Sequence, residues 1–318
     1  MDTQSMPVAG IVGAGLIGRS WANVFARAGW RVQVWDPVGA QRDAAHAQIA
    51  DSLRELQEHG LVSDAEAAAA RVHVVDTLEG AVRGARYVQE SGPETLEAKR
   101  TTFAALDLAA PPGCVLASST SAIVASQFTE ALAGRERCLV AHPVNPPHLV
   151  PVVELCGAPW TSAAAKASAL EVMRSVGQVP VDVKREVDGF VLNRLQAALL
   201  TEAFRLVQDG VVSPRDLDHT LADGLGLRWA FLGPFETIEL NAPGGIADYC
   251  RRYTPWFRRY AHDMPTAAVW DEPNWQAVAA AWGASPSPDA VARKSQWRNE
   301  RLAALAAHKR GAKPWTDS

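Results

Sequence analysis

The chain has 318 residues, 48% of them apolar and 21% charged, with a formal net charge of −4. That length accommodates two domains of ordinary size, and the composition excludes a wholly disordered chain. The small negative charge excludes a global basic field for nucleic acid, so an anionic ligand must be held by locally placed donors.

Residues 1–7 carry no basic leader, and the first apolar stretch, Val8–Val12, is too short for a signal core. No apolar run is long enough to span a bilayer. The cysteines Cys114, Cys138, Cys156 and Cys250 form no C-x-x-C pair, and neither His142 nor His148 joins them at metal-ligand spacing. They read as reduced, buried thiols, with no metal site, in a cytoplasmic protein.

Val8–Val12 reads as a buried strand, 16–28 as a helix closed by Gly29, and Arg31–Trp35 as a second strand. The alternation continues. Residues 43–59, 65–70 and 96–108 have helical patterns, while 72–75, 87–89, Val115–Ser118, 138–141 and 152–155 are short apolar runs. Thr161 and Ser162 can cap a helix to about Val176, and Val179–Val183 reads as a last strand. Alternating strands and helices predict an α/β fold, a Rossmann-type doubly wound and largely parallel sheet. Beyond residue 187 strand signals become scarce. Residues 190–207 carry a helical pattern, and Ser213-Pro214 and Gly233-Pro234 are helix starts. We therefore expect an NAD-binding domain over 1–187 and a mostly α-helical substrate and dimerisation domain over 188–318. Trp229, Trp256, Trp270, Trp275, Trp282, Trp297 and Trp315 fall in the second part, through helix packing or a subunit interface.

Residues 13–18 read Gly-Ala-Gly-Leu-Ile-Gly between a strand and a helix, and Asp36 ends the second strand. In a βαβ unit, Gly13 permits the tight turn, Gly15 lets the backbone approach a pyrophosphate, and Gly18 lets helix and strand pack closely. The helix N-terminus offers free N–H groups to the phosphates. Asp36 can accept hydrogen bonds from the adenosine ribose and would repel a 2′-phosphate, which favours NAD over NADP; Arg42 could soften that preference. FAD shares the fingerprint.

His142 directly follows the apolar run 138–141, at the strand end where α/β ligand crevices form. Glu154 lies inside Pro-Val-Val-Glu-Leu and needs a partner there. A buried Glu beside a His fixes its tautomer and stabilises imidazolium, which suits a general base for an alcohol proton. Ser121 ends a Ser-Ser-Thr-Ser run after another strand; Ser118 and Ser119 read as a polar turn. Asn193, on the first helix after the boundary, can serve a helix–helix hydrogen bond or a substrate oxygen.

Together these residues resemble the 3-hydroxyacyl-CoA dehydrogenase superfamily, and within it the lambda-crystallin branch of L-gulonate 3-dehydrogenases. The resemblance rests on Gly-Arg-Ser-Trp-Ala (18–22), Ala-His-Pro-Val-Asn-Pro-Pro (141–147), Gly-Phe-Val-Leu-Asn-Arg-Leu-Gln (189–196), Ser-Pro-Arg-Asp-Leu-Asp (213–218) and Gln-Trp-Arg-Asn-Glu (296–300). It implies an NAD-dependent oxidation of the 3-hydroxyl of a small L-3-hydroxy acid to the 3-keto acid. His142 would be the general base, Glu154 its orienting partner, and Ser121 and Asn193 hydrogen-bond donors to the reacting oxygen. Leu16 and Ile17 would give backbone contacts to the pyrophosphate, and Glu94 and Lys99 would line the NAD site near the nicotinamide. It also implies a homodimer built on the helical domain.

The acid is less legible. Acyl-CoA members carry a small residue near Arg228, whereas the lambda-crystallin branch carries Arg. Arg228 is therefore expected to clamp a free carboxylate, with a surface or interface salt bridge as the other reading. A hydroxyacyl-CoA, L-carnitine or diketo-ester substrate on the same scaffold is an alternative. So is a crystallin-like structural role without turnover, against which His142 and Glu154 both stand.

Overall fold

The structure is a computed structural model that describes residues 6–313. In chain order its elements are β1 (Val8–Val12), α1 (Leu16–Arg27), β2 (Arg31–Trp35), α2 (Gly39–Glu58), α3 (Ala65–Ala69), β3 (Val72–Val74), α4 (Leu78–Val82) and β4 (Tyr87–Glu90). There follow α5 (Leu96–Ala109), β5 (Val115–Ser118), α6 (Ser126–Thr129), β6 (Cys138–Pro143), β7 (Val152–Gly157), α7 (Ala163–Ser175) and β8 (Val179–Val183). The later helices are α8 (Leu192–Gln208), α9 (Pro214–His219), α10 (Gly226–Trp229), α11 (Pro234–Glu239), α12 (Gly245–His262), α13 (Glu272–Trp282) and α14 (Pro288–Gly311). Among the described residues, no helix is long and apolar enough to cross a membrane.

The eight strands form one sheet in the order β3-β2-β1-β4-β5-β6-β7-β8. The order reverses between β1 and β4, which puts a crevice at the carboxyl ends of those strands. Every pairing is parallel except β6 with β7. Only residues 144–151 join those two strands, too few for the crossover that a parallel pair needs. Strand β6 also runs farther than expected, so His142 lies within it rather than just past it. One apolar cluster, with Trp21, Phe25 and Ile49, packs α1 and α2 against the sheet; a second, with Phe103, Leu106 and Phe128, involves α5 and α6.

The capping signals act as expected. Ser162 accepts from the Ala165 amide to open α7, Ser213 caps α9, and Gly29 takes a left-handed conformation after α1. A π-helical segment, Thr220–Leu225, continues α9 towards α10. Cys114, Cys138 and Cys156 are buried, and burial pushes their thiols up to about 12, 12 and 11. Cys250, expected to be buried like them, is exposed because helix α12 leaves that face uncovered in the single chain.

Packing divides the chain into two units. One comprises residues up to Arg194 together with Ser295 onward; the other is Leu195–Lys294. The end of α14 belongs to the first unit, where Ala303 is buried and Leu302, Ala306 and Ala307 pack on the core. Arg310 there donates to the Leu61 carbonyl at 3.0 Å. The second unit is helical. Trp270, Trp275 and Trp282, with Phe204, line an apolar groove of about 570 Å³. Trp315 lies outside the described residues.

Candidate active site

The glycine loop is shaped by contact as well as by conformation. Gly13 has φ 102°, and a Cβ there would come within 2.6 Å of the Ser91 carbonyl oxygen. A Cβ on Gly18 would collide with the Gly13 carbonyl oxygen, so this close approach tolerates no side chain. A Cβ on Gly15 would meet nothing within 4 Å. That open space lies at the N-cap of α1, where no side chain caps the helix. Helices α5 and α7, by contrast, are capped by Thr95 and Ser162. An uncapped helix end over an open glycine fits a dinucleotide diphosphate. Leu16 is exposed on this first turn, and Ile17 lines the adjoining cavity.

Asp36 is buried at the end of β2. Its Oδ2 accepts from the Ala14 amide at 2.7 Å and its Oδ1 from the Val38 amide at 2.8 Å. Each oxygen keeps a further lone pair for a ribose hydroxyl. Arg42 donates to the Asp36 carbonyl at 2.7 Å, so it braces the backbone of the acidic residue.

Beyond the loop is a cavity of about 250 Å³, lined among others by Ile17, Glu94, Lys99, Ser121 and His142. His142 and Glu154 are direct partners in the β6–β7 register. His142 Nδ1 lies 2.8 Å from Glu154 Oε2. An ionised carboxylate only accepts, so Nδ1 carries the proton and Nε2 the lone pair. The other oxygen, Oε1, accepts from the Val191 and Leu192 amides at 2.8 and 2.9 Å, at the start of α8. Burial by itself would raise the Glu154 carboxyl. The hydrogen bonds from His142, Leu192 and Val191 outweigh it and hold the group below the usual carboxylate range. The buried Phe190, in a left-handed conformation (φ 48°), sets its ring 5.6 Å from the imidazole.

Because Glu154 holds the first amides of α8, it also positions Asn193 one residue on. Asn193 Nδ2 donates to the Ser121 carbonyl at 2.8 Å, which brings these two expected site residues together. Glu94 organises the same loop: its Oε1 accepts from Thr120 Oγ1, the Ser121 amide, the Ser121 hydroxyl and the Ala122 amide. Burial opposes ionisation of Glu94, but these donors and the charge of Lys99 keep its carboxyl below the ordinary value.

Lys99 is buried, with Nζ 2.9 and 3.0 Å from the two oxygens of Glu90 and 3.7 Å from Glu94. Glu90 also accepts from Ser118 Oγ at 2.6 Å. Glu90 is not among the residues expected at the site, although a carboxylate closing the run 87–89 demands a partner as much as Glu154 does. A polar turn is the expectation for Ser118 and Ser119. Ser118 is instead a fully buried member of β5, and Ser119 lines the cavity.

Arg228 belongs to the second unit. It is exposed, its Nη2 is 3.4 Å from Asn241 Oδ1, and among the described residues no carboxylate lies within ion-pair distance of it. No group of three His, Cys, Asp or Glu residues that could hold a metal occurs among the described residues.

The 3-hydroxyacyl-CoA dehydrogenase NAD-binding domain matches residues 8–187, and the C-terminal domain of the same family matches 189–272. The chain belongs to the 3-hydroxyacyl-CoA dehydrogenase family, and is an NAD-binding oxidoreductase. Its relatives include lambda-crystallin of Oryctolagus cuniculus, 41% identical over 316 residues, which cover 97% of this chain and 99% of that protein. An L-carnitine dehydrogenase of Streptomyces coelicolor is 39% identical over 259 residues, 80% of this chain and 81% of that one. Among solved structures, FHMPC 5-dehydrogenase, an NAD⁺-dependent dismutase, superposes with a TM-score of 0.83 at 26% identity, covering 97% of this chain and all (100%) of that one.

Proposed function

We propose that this chain oxidises the 3-hydroxyl of a small L-3-hydroxy acid with a free carboxylate, of the L-gulonate type, to the 3-keto acid. The observation that carries the reading is the buried His142–Glu154 pair, which engages Nδ1 and leaves Nε2 without a partner among the described residues, with His142 lining the cavity. NAD, when bound, supplies the hydride acceptor. His142 takes the hydroxyl proton at Nε2, and Glu154 stabilises the imidazolium that results. Asn193 holds the reacting oxygen, and so does Ser121 once its hydroxyl turns from the 3.3 Å contact with Glu94. Asn193 keeps a second amide hydrogen for this, since one hydrogen is given to the Ser121 carbonyl. Asp36 holds the adenosine ribose, and the uncapped end of α1 holds the diphosphate.

Arg228 supports the free-acid reading because its guanidinium has no carboxylate partner among the described residues and matches a carboxylate bidentately. The same reading makes the protein a cytoplasmic homodimer, supported by its reduced thiols and by the exposed tryptophans of the second unit. The intact base and its partner favour turnover over a purely structural role.

The test compares NAD⁺ reduction with L-gulonate, L-3-hydroxybutyrate, L-carnitine and 3-hydroxybutyryl-CoA under identical conditions. A free acid is expected to give the highest kcat/KM, and Arg228→Met to raise its KM far more than that of the thioester. Preference for the thioester, or equal effects of Arg228→Met on both, would refute the substrate assignment. His142→Gln is expected to lower kcat by about 100-fold or more while NADH still binds.

A further inference from the structure

A buried polar network beside the glycine loop has its hydrogens determined by the chemistry of its members. Gln89, fully buried in β4, points one end of its amide at the Ala141 carbonyl at 3.2 Å. A carbonyl only accepts, so that end is the NH₂ group. The same Nε2 reaches Ser119 Oγ at 2.7 Å, while Tyr87 donates its hydroxyl to Gln89 Oε1 at 2.9 Å. Burial keeps the Tyr87 phenol protonated well beyond its ordinary range. Trp21 Nε1, which can only donate, is 3.2 Å from Ser119 Oγ. Ser119 therefore accepts two N–H bonds. Its one hydrogen is left for Ser91 Oγ, 2.9 Å away.

Ser91 then accepts from Ser119 and cannot give its own hydrogen back. Ser91 and Ser119 both line the cavity that contains His142, and the Ser91 carbonyl abuts Gly13 of the dinucleotide loop. We propose that the Ser91 hydroxyl is a directed hydrogen-bond donor to an oxygen acceptor on the nicotinamide half of the bound dinucleotide. The cavity fixes which half: the general base lines it, so the reacting end of the cofactor must enter it. Tyr87, Gln89, Trp21 and Ser119 act through Ser91 as positioning residues, aligning one proton without touching the ligand through it.

The NAD site is a property of the family, so the proposal can be tested without knowing the acid. Fluorescence titration with NADH and calorimetry with AMP, which is the adenosine half alone, separate the two halves of the cofactor. Ser91→Ala is expected to weaken NADH binding about ten-fold and AMP binding less than about two-fold. Trp21→Phe frees a lone pair on Ser119 to which Ser91 can donate instead. It is expected to weaken NADH about three-fold although Trp21 is fully buried and does not itself line the cavity. The proposal is overturned if folded Ser91→Ala protein binds NADH within about two-fold of the parent. It is equally overturned by parallel losses for NADH and AMP, by an effect confined to the KM of the acid, or by unchanged NADH binding in Trp21→Phe.

Discussion

Glu154 serves the imidazole with one oxygen and two backbone amides with the other, and its loss would release all three: the imidazole would lose its tautomer, and the Val191 and Leu192 amides at the start of α8 their shared acceptor. The pairing with His142 was readable in the sequence because both residues interrupt apolar runs and a buried carboxylate needs a partner. The role of Ser91 was not, since it depends on where Gln89, Trp21 and Ser119 point, and residues nearly 100 positions apart share one hydroxyl. His148 gives a pH signature at this scale. Burial, then the nearby Arg27 cation, depress its imidazole to about 4, and Nδ1 is buried without a partner among the described residues. The unfolded chain takes up the proton near 6.5, the folded one only near 4, so stability is complete above about pH 6.5 and falls as the pH drops through that window. Over the window the loss amounts to about 3 kcal/mol. Urea unfolding at about pH 7 and about pH 4.5 should show a smaller difference between the two in His148→Gln than in the parent; an identical difference would exclude His148 as its source.

At the scale of elements, β1, the glycine loop and α1 form a unit in which three glycines do different work. Gly18→Ala would drive a methyl into the Gly13 carbonyl oxygen, and the loop cannot yield without opening the β1–α1 contact. It is expected to destabilise the fold by about 1–3 kcal/mol, visible as a lower thermal midpoint. Gly15→Ala meets no chain atom and should leave that midpoint unchanged while weakening NADH binding, because its methyl occupies the ligand's space. A lowered midpoint with intact NADH affinity for Gly15→Ala would reverse these assignments. All eight strands announced themselves as short apolar or alternating runs, and Gly29, Ser162 and Ser213 marked helix ends. The direction of β7 needed a further step. The eight residues 144–151 contain no helix, and that shortness alone forces the antiparallel turn that sets Glu154 opposite His142.

For the whole molecule, the second unit leaves Trp256, Trp270, Trp275 and Trp282 exposed, several of them around one apolar groove. An apolar face of this kind in a single chain marks an interaction surface. Light scattering is expected to give twice the chain mass, and Trp275→Glu with Trp282→Glu to give the monomer with an intact far-UV spectrum. A parent protein that is monomeric at micromolar concentration would remove the dimer from the proposed function. The tryptophan-rich composition pointed here, but it could not separate an interface from helix packing, because exposure is not written in residue type. Helix α14 carries a different consequence. The core beside α1 and α2 is completed by Leu302, Ala303, Ala306 and Ala307, and Arg310 ties the helix to Leu61. On the ribosome, the first unit to emerge is therefore closed by residues translated only after the whole second unit. Domains generally fold as they are synthesised, N-terminal first. Here the dinucleotide-binding half must wait, with part of its apolar core uncovered, until the entire helical half has been made.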